Sequence, residues 1–291
     1  MSDATETTEG LDRPAVGAIA PWFGSNRMLA PRVGELLAGC AWLGVPFAGG
    51  MAELRHLRAR TVIVGDLHAH VLNLAAVVRD PTLCATLRVR LEGTPFHAGE
   101  LERAQAACGA REALGRAARW DGHPDVAWAA DYFVCAWMAR NGKAGTGDEF
   151  DAGLSVRWEA AGGDSAVRFR NAHESLTQWH RLMRRMTFVR MDCFDFLAKC
   201  KDRAGHGIYC DPPWPTDGAA YKHPFSEADQ RKLAARLGEF TAATVVVRYG
   251  RHPLIEELYP ADRWEWVGLE GRTAANRAKA EVLLVNRKPG G

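Results

Sequence analysis

Residues 42–66 have the sequence WLGVPFAGGMAELRHLRARTVIVGD. The first part, residues 42–47, is an apolar run that predicts a strand turning tightly at Gly49-Gly50. The last part, residues 61–64, is apolar and β-branched, which predicts a buried parallel strand that ends at Asp66. The segment between them has the composition of a helix. This order of strand, glycines, helix, strand and acid predicts the first βαβ unit of a doubly wound α/β fold.

Similar signals continue along the chain. Short apolar or β-branched runs predict four further strands, over residues 187–191, 207–210, 244–249 and 281–286. Helices are predicted over residues 33–39, 52–60, 69–78 and 226–240. Ser226 is expected to cap the last of these helices, with Asp229 in its first turn.

The character of the sequence changes between Asp80 and Met186. Stretches rich in Ala, Arg and Trp predict helices over residues 100–120 and 126–140, and a Gly-rich loop follows. Because this segment is too long for a crossover connection, residues 80–186 are predicted to be an inserted, mainly helical subdomain. The main domain would then comprise residues 21–79 and 187–291. Residues 1–20, rich in Thr, Glu, Asp and Gly, are expected to form a flexible tail.

The composition is that of a soluble globular protein. The chain has 291 residues, of which 47% are hydrophobic and 25% are charged, so it can bury a substantial core. Neither a membrane-spanning run nor a signal peptide is visible, and we expect a cytoplasmic protein. Its seven cysteines include no CxxC pair, which favours reduced thiols over a disulfide framework or a zinc site. No metal site is predicted.

The charge is uneven along the chain. The net charge of +2 does not by itself indicate or exclude a nucleic-acid partner. Arg181, Arg184, Arg185 and Arg190 fall close together, and residues 55–60 form a second basic group. Such clusters can contact phosphates, and a solvated helix face is the alternative interpretation for each.

Residues 208–214 have the sequence IYCDPPW, which suits a planar heterocycle bearing an exocyclic amine. The Asp211 carboxylate can accept a hydrogen bond from the amine. The Pro212 carbonyl can accept a second, because the Pro212-Pro213 turn is rigid and neither proline nitrogen can donate. The Trp214 ring can stack on the base. An ordinary exit from a strand into a loop is the alternative.

Other residues suit a nucleoside cofactor. Gly49 and Gly50 would let the backbone approach a ligand, although a simple turn would use them as well. Asp66 follows Phe47 at the spacing of a ribose-binding acid, and capping of the next helix is its alternative. Asp192 follows a predicted strand and is expected to face the ligand crevice or to cap the helix that starts near Phe194.

Taken in order, these segments resemble the Dam-type, alpha-group N6-adenine DNA methyltransferases that use S-adenosylmethionine. The resemblance runs from about residue 21 to residue 287. Residues 22–27 are similar to the N-terminal cofactor-binding segment of that family, and residues 47–50 to its cofactor loop. Residues 133–145, with Arg140-Asn141-Gly142 inside them, are similar to its DNA-contacting hairpin. Further similarity lies at Tyr221, Phe225 and Asp229, after the catalytic motif, and in a C-terminal signature at Asn276-Arg277, Glu281 and Leu283-Leu284.

The resemblance implies a Rossmann-like doubly wound methyltransferase sheet with an inserted target-recognition subdomain. It implies methyl transfer from S-adenosylmethionine to the N6 amine of an adenine flipped out of double-stranded DNA. The implied catalytic residues are Asp211, Pro212, Pro213 and Trp214. The implied cofactor-binding residues are Trp22, Phe47, Gly49, Gly50, Asp66, Asp192 and Asp211. The candidates for DNA contact are Arg140, Asn141, Arg181, Arg184 and Arg185.

The sequence departs from the family at four positions. Pro21 and Asn26 each replace a usual Lys, Met51 stands where a third Gly is common, and Trp214 replaces a usual Tyr. N4-cytosine methylation, RNA adenine methylation and non-catalytic nucleic-acid binding on the same fold therefore stay open as alternatives. The oligomeric state and a phage, prophage or restriction-endonuclease context are open as well.

Overall fold

The computed structural model describes residues 16–24, 29–140, 143–159, 163–216, 221–272 and 278–287. Within these residues, seven strands form one sheet. They are β1 (Trp42–Val45), β2 (Thr61–Asp66), β3 (Met186–Arg190), β4 (His206–Cys210), β5 (Thr244–Gly250), β6 (Trp264–Arg272) and β7 (Ala278–Asn286).

The strand order is β3-β2-β1-β4-β5-β7-β6. Strands β1 to β5 pair in parallel, and β7 lies antiparallel between β5 and β6. Apart from the position of β7, this is the order 3-2-1-4-5-6 of a doubly wound sheet. The predicted Rossmann-like α/β fold is confirmed.

The order of the strands reverses between β1 and β4. From β1 the chain builds the sheet outward through β2 and β3, and then returns to the other side of β1 to add β4 and β5. In open α/β sheets, ligands bind in the crevice at the carboxyl ends of the strands that flank such a switch point. The segments that leave β1 and β4 are the glycine turn and the sequence Asp211-Pro-Pro-Trp214. The topology therefore brings the two most informative motifs of the sequence together.

Ten helices surround this sheet in the described residues. They are α1 (Ala30–Leu36), α2 (Ala69–Arg79), α3 (Pro81–Glu92), α4 (Ala98–Ala113), α5 (Val126–Met138), α6 (Ser165–Glu174), α7 (Leu176–Met183), α8 (Cys193–Lys199), α9 (Glu227–Leu237) and α10 (Pro253–Leu258). Helix α9 begins with a reciprocal capping box between Ser226 and Asp229, which confirms the predicted start of that helix. None of the helices in these residues has both the length and the apolar character needed to cross a membrane.

Two hydrophobic cores cover the two faces of the sheet. Along β4, Tyr209 contributes to one core, and its neighbours Ile208 and Cys210 contribute to the other. Strand β5 alternates in the same way. Because successive side chains of a strand point to opposite faces, both faces are buried, and the central strands are almost continuously apolar.

Of the helices between β2 and β3 in sequence, α3, α5 and α7 pack on α2, and α4 and α6 pack on α5. All five contribute to the same core as one face of the sheet. Helix α5 is buried from Trp128 to Met138. Residues 133–138 are thus helical, and the expectation of a hairpin over residues 133–145 is wrong for that part. An apolar helix without a polar face needs packing partners on all sides, which the surrounding helices provide.

Two other expectations need correction. The predicted helix over residues 52–60 is only a 3-10 turn, Glu53–Arg55, because burial of Leu54 and Leu57 in the core, rather than helix propensity, sets the path of the chain before β2. The described part of the predicted tail, residues 16–20, is not loose, since Ala18, Ile19 and Ala20 are buried in the core. Strand β6 and helix α10 were not predicted.

Candidate functional site

A cavity of about 1130 Å³ opens at the carboxyl ends of the parallel strands. This volume exceeds the usual range of about 300–1,000 Å³ for a pocket that holds one small molecule. Its walls come from the segments that follow β1, β2, β3 and β4, from strands β5 and β7, and from the region between α5 and α6. The predicted site residues that line it are Trp22, Phe47, Gly49, Gly50, Asp66, Asp192, Asp211, Pro213 and Trp214.

The glycine turn is fixed by its close approach to the N-terminal segment. A Cβ atom on Gly50 would lie 2.7 Å from the Ala20 carbonyl oxygen and 2.9 Å from Cβ of Trp22. Gly49 has φ of +45°, in the left-handed region that favours glycine. The turn therefore requires both glycines.

The Trp22 indole is held in a slot made by glycines. A Cβ atom on Gly49 would approach the ring to 3.2 Å, and one on Gly145 would approach it to 2.4 Å. Backbone pairing of Trp22 with Ala144 joins this segment to the region after α5. Trp22 lies in the cavity wall, but one side of its ring is covered by Gly145. Its role as a cofactor-binding residue stays a prediction.

Met51 follows the glycines with φ of +62°, a conformation that L-residues seldom adopt. Its side chain is buried, with 1% exposed. The left-handed conformation costs about 1 kcal/mol for a residue with a Cβ atom. Met51, where the resembled family commonly has a third glycine, thus has an unfavourable backbone conformation. Burial of its side chain contributes stability that offsets this cost.

Asp66 stands at the end of β2 and holds the glycine turn. Its Oδ2 atom accepts a hydrogen bond from the backbone N–H of Gly49 at 3.0 Å, and its Oδ1 atom accepts one from His68 at 2.9 Å. The N-cap of α2 is His68 rather than Asp66, so the capping interpretation of Asp66 is wrong. Each carboxylate oxygen retains a lone pair with which to accept a ligand hydroxyl.

Asp192 satisfies both of its sequence interpretations. It lines the cavity, and it also caps α8 by accepting the backbone N–H of Phe194 at 2.8 Å.

Beside Asp192, the Phe225 ring stacks on Phe194 and meets Phe47 edge to face. These three rings form an apolar wall of the cavity.

Asp211 is paired with a buried arginine. Arg248 Nη1 donates to Asp211 Oδ2 at 2.8 Å and to the Gly24 carbonyl at 2.8 Å. Its Nη2 and Nε atoms donate to Glu281 at 2.9 and 3.2 Å. Burial raises the pKa of Asp211 above its ordinary value, and the Arg248 charge opposes that rise.

Trp214 is packed rather than open. Only 8% of the residue is exposed, and Gly250 lies close against its ring. The Arg248 guanidinium lies 5.0 Å from the ring centroid, and a side-chain hydrogen bond joins Trp214 to Asp211. Since an indole nitrogen can only donate, Trp214 helps to orient the carboxylate.

The segment from Asp211 to Trp214 is also held by a hydrogen bond from a buried glutamine. Gln230, fully buried, donates from Nε2 to the Pro213 carbonyl at 2.7 Å and accepts a hydrogen bond from the Tyr249 hydroxyl at 2.5 Å. Pro212 is buried, and its carbonyl as an acceptor for the amine stays a prediction. Neither Arg248 nor Gln230 was predicted. A charged residue inside the apolar run of β5 was the available signal for Arg248.

The sheet side of the cavity is acidic. Besides Asp66, Asp192 and Asp211, its wall contains Glu53, Asp229 and Glu281. Glu53 is 4% exposed, and burial raises its pKa to about 8. Arg248 is the cation in this part of the described wall, so the sheet side favours a positively charged ligand group.

A buried ion network lies next to the cavity and resembles a metal-binding cluster. His70, Glu112 and Glu149 are close enough to share an ion. The Lys222 ammonium already bridges the two carboxylates, at 2.5 Å from Glu112 and 2.8 Å from Glu149. His70 Nδ1 accepts the Trp128 indole N–H at 2.7 Å, so its Nε2 carries the proton given to Glu112. These groups satisfy one another without a metal.

The arginines predicted to contact DNA do not line the cavity. Arg184 and Arg185 precede β3, at the edge of the sheet opposite to the carboxyl ends, and Arg181 is at the end of α7. Arg140 is exposed outside the cavity wall, and Asn141 lies outside the described residues. Two arginines that were not predicted do line this side of the cavity, Arg157 between α5 and α6 and Arg168 in α6.

Comparisons with protein-family models and with curated proteins give no match. Among solved structures, the chain is similar to the rRNA methyltransferase AviRa from Streptomyces viridochromogenes. The two share 16% sequence identity at a TM-score of 0.42, over 94% of this chain and 91% of that chain. A similarity of this degree does not bear on function.

Proposed function

We propose that this protein transfers the methyl group of S-adenosylmethionine to the exocyclic amine of a base in DNA, with N6 of adenine as its target. One observation carries the proposal. The glycine turn with Asp66 and the motif from Asp211 to Trp214 flank the switch point of the sheet and form walls of one cavity. The cavity is large enough for a nucleoside cofactor and a target base together.

The residues present fit the cofactor. Any side chain at Gly50 would fill the space that the turn needs, and Asp66 offers lone pairs for the two ribose hydroxyls. When bound, S-adenosylmethionine supplies a methyl group activated by a cationic sulfonium. The acidic sheet side of the cavity favours that positive charge.

Asp211 would activate the target amine. The lone pair of an aromatic amine is delocalised into the ring, so the amine is a poor nucleophile. A hydrogen bond from the amine to Asp211, and a second to the Pro212 carbonyl, would favour a tetrahedral nitrogen with a localised lone pair. These acceptors stabilise the positive charge that develops on the nitrogen during transfer.

Arg248 would keep Asp211 in the form that this role requires. Its guanidinium favours the ionised carboxylate, which is only an acceptor, whereas burial favours the protonated acid. A carboxylate has about four lone-pair sites, so the bond to Arg248 at 2.8 Å leaves capacity for the amine. Because burial raises the pKa of Asp211, this carboxylate is also a better acceptor for the proton that the methylated amine must lose.

The test is to identify the product. The protein is incubated with S-adenosylmethionine and mixed-sequence duplex DNA, and the DNA is digested to nucleosides for mass spectrometry. N6-methyladenine is expected. N4-methylcytosine would overturn the choice of base, and methylation of RNA alone would overturn the choice of nucleic acid.

Asp211→Ala provides the internal control for the mechanism. Its cofactor affinity, measured by calorimetry, is expected to stay close to that of the unmodified protein, and most of its turnover should be lost. Equal turnover would contradict the assigned role. Failure of the unmodified protein both to bind S-adenosylmethionine and to methylate would indicate a non-catalytic protein.

A further inference from the structure

The cavity has a second side whose charge is opposite to that of the sheet side. Ser155 and Arg157, in the segment between α5 and α6, and Arg168, in α6, line it. Arg157 is exposed and Arg168 is half-buried. One cavity thus has acids toward the sheet and two arginines toward the inserted helices.

These two arginines differ from most others in the structure. Arg103, Arg231 and Arg248, for example, all form ion pairs. In the described residues, neither Arg157 nor Arg168 forms a hydrogen bond or ion pair through its side chain. The acids next to them in sequence, Glu159 and Asp164, form no ion pair with them there.

The two charges are near enough to repel each other. Burial and the charge of Arg157 together lower the pKa of Arg168, which means that a second positive charge here is unfavourable in the protein alone. An anion placed between the guanidiniums would remove that repulsion. Guanidinium groups match phosphate oxygens in a bidentate geometry.

An exposed tryptophan follows Arg157 directly. Trp158 is 89% exposed, and Val156 and Val167 beside the arginines are 42% and 40% exposed. Trp is among the least expected residues in such a position, because its large apolar area gains most from burial. Because Arg157, the residue directly before Trp158, lines the cavity, the indole is close in sequence to the cavity wall, and its flat ring suits the face of a nucleic-acid base.

We propose that Arg157, Arg168 and Trp158 form the contact with the DNA strand that carries the target base. The arginines would bind backbone phosphates beside the flipped nucleotide, and the Trp158 ring would stack on a neighbouring base. This inference rests on the proposed function, because it takes the target base to be the group that enters the cavity.

The location also favours this set over the basic cluster at Arg184 and Arg185. That cluster precedes β3, whereas the cavity lies beyond its other end. A strand of this length spans about 16 Å at roughly 3.3 Å per residue. A nucleotide whose base enters the cavity brings its own phosphates close to the cavity, whose wall includes Arg157 and Arg168.

The test measures binding separately from catalysis. Fluorescence anisotropy is recorded with a labelled DNA duplex that contains one unpaired adenine, since a base outside a pair is easier to extrude. Arg157→Ala/Arg168→Ala is expected to weaken binding at least tenfold at 0.1 M salt. Loss of two phosphate contacts should reduce the slope of log K against log salt by about two.

Trp158→Ala should weaken binding about fivefold or more, and Trp158→Phe should recover most of the loss, because any aromatic face can stack. The matched controls are Arg184→Ala and Val89→Ala, which remove an arginine and an exposed apolar side chain that do not line the cavity. Both controls should bind like the unmodified protein. Thermal melting checks that each variant is folded.

The inference is overturned if the arginine double variant binds DNA normally, or if only Arg184→Ala loses affinity. The choice of DNA as the partner is overturned if the arginine double variant loses affinity for RNA of the same sequence but not for DNA. If the arginine and tryptophan variants lose binding while the unmodified protein methylates no base, the contact is supported and the proposed function fails. If the variants bind DNA and methylate it normally, the proposed function is supported and the contact through Arg157, Arg168 and Trp158 fails.

Discussion

Arg248 Nη1 lies 2.8 Å from Asp211 Oδ2, and its Nη2 lies 2.9 Å from Glu281, so one buried guanidinium bridges two carboxylates of the cavity wall. Arg248 is itself only 3% exposed. Asp211 is the acceptor on which the proposed chemistry depends, and Arg248 sets both its charge and its orientation. This pair gives the site its most direct tests.

Replacement of Arg248 by Met should change the pH dependence of turnover. Without the guanidinium, burial is no longer opposed and the pKa of Asp211 rises further. Because the ionised carboxylate is the active form, the acid limb of the rate profile should move to higher pH. Two unpaired buried acids should also reduce the free energy of unfolding by about 3–5 kcal/mol.

Arg248→Lys is the control, since it keeps the charge but not the fork that reaches both acids. It should have a higher free energy of unfolding than Arg248→Met. The acid limb of its pH–rate profile should lie between those of Arg248→Met and the unmodified protein. An unchanged acid limb in a folded Arg248→Met protein would contradict the role assigned to Arg248.

Trp214 can be tested by separating its ring from its N–H group. Trp214→Phe keeps an aromatic ring but loses the hydrogen bond to Asp211. We expect kcat to fall about tenfold or more, since a hydrogen bond to a charged carboxylate is worth roughly 1.5–3 kcal/mol. Trp214→Ala should also lose the contact with Gly250 and be destabilised by about 3–5 kcal/mol. Equal kcat for the Phe variant and the unmodified protein would remove the N–H group from the mechanism.

Glu53 should make stability depend on pH. Burial raises its pKa from 4.5 to about 8, so between these values the folded protein keeps a proton that the unfolded chain has released. The free energy of unfolding should therefore fall as pH rises through this window. Glu53→Gln, which cannot ionise, should flatten that slope and be the more stable protein at pH 8. Denaturant unfolding at several pH values measures both slopes, and parallel slopes for the two proteins would contradict the protonated state of Glu53.

The glycine turn predicts opposite effects for two Gly→Ala changes. In Gly50→Ala the new methyl group would meet the Ala20 carbonyl oxygen at 2.7 Å, so we expect destabilisation of about 1–3 kcal/mol and weaker cofactor binding. In Gly109→Ala, within α4, the methyl group has open space and should stabilise the protein by about 0.5–1 kcal/mol. Thermal melting and calorimetry compare the two. Normal cofactor affinity in Gly50→Ala would argue against a ligand at this turn.

Much of the sheet could be predicted because its signal is local. Strands β1, β2, β4 and β5 are continuous apolar runs, and such runs result from burial on both faces. Strand β6 was missed because its sequence mixes Trp and Val with Glu and Gly, which suits an edge strand but lacks a clear period. Residues 52–60 have helical composition, yet they form only a short 3-10 turn with Leu54 and Leu57 buried in the core, so tertiary packing overrides propensity.

The site was predictable where its residues follow strands and unpredictable where they meet through tertiary structure. Gly49, Asp66 and Asp211 each follow a recognisable strand, and the topology brings them together. Arg157 and Arg168 lie in and beside an irregular segment, and only the packing of α5 and α6 places them on the cavity. The basic cluster at Arg184 was the stronger prediction of a phosphate contact from sequence, but it lies at the amino-terminal end of β3, away from the carboxyl ends that face the cavity.

The slot that holds Trp22 has a consequence for the order of folding. Its walls come from Gly49 and Gly145, and the neighbouring Gly24 carbonyl is held by Arg248, 224 residues along the chain. Contacts between such distant residues carry a large loop-closure cost and form late, after local helices and hairpins. The candidate site is thus completed only when the N-terminal segment, the segment around Gly145 and strand β5 are all in place. A ligand that binds this site selects chains that are folded throughout, and it stabilises the whole molecule rather than one part of it.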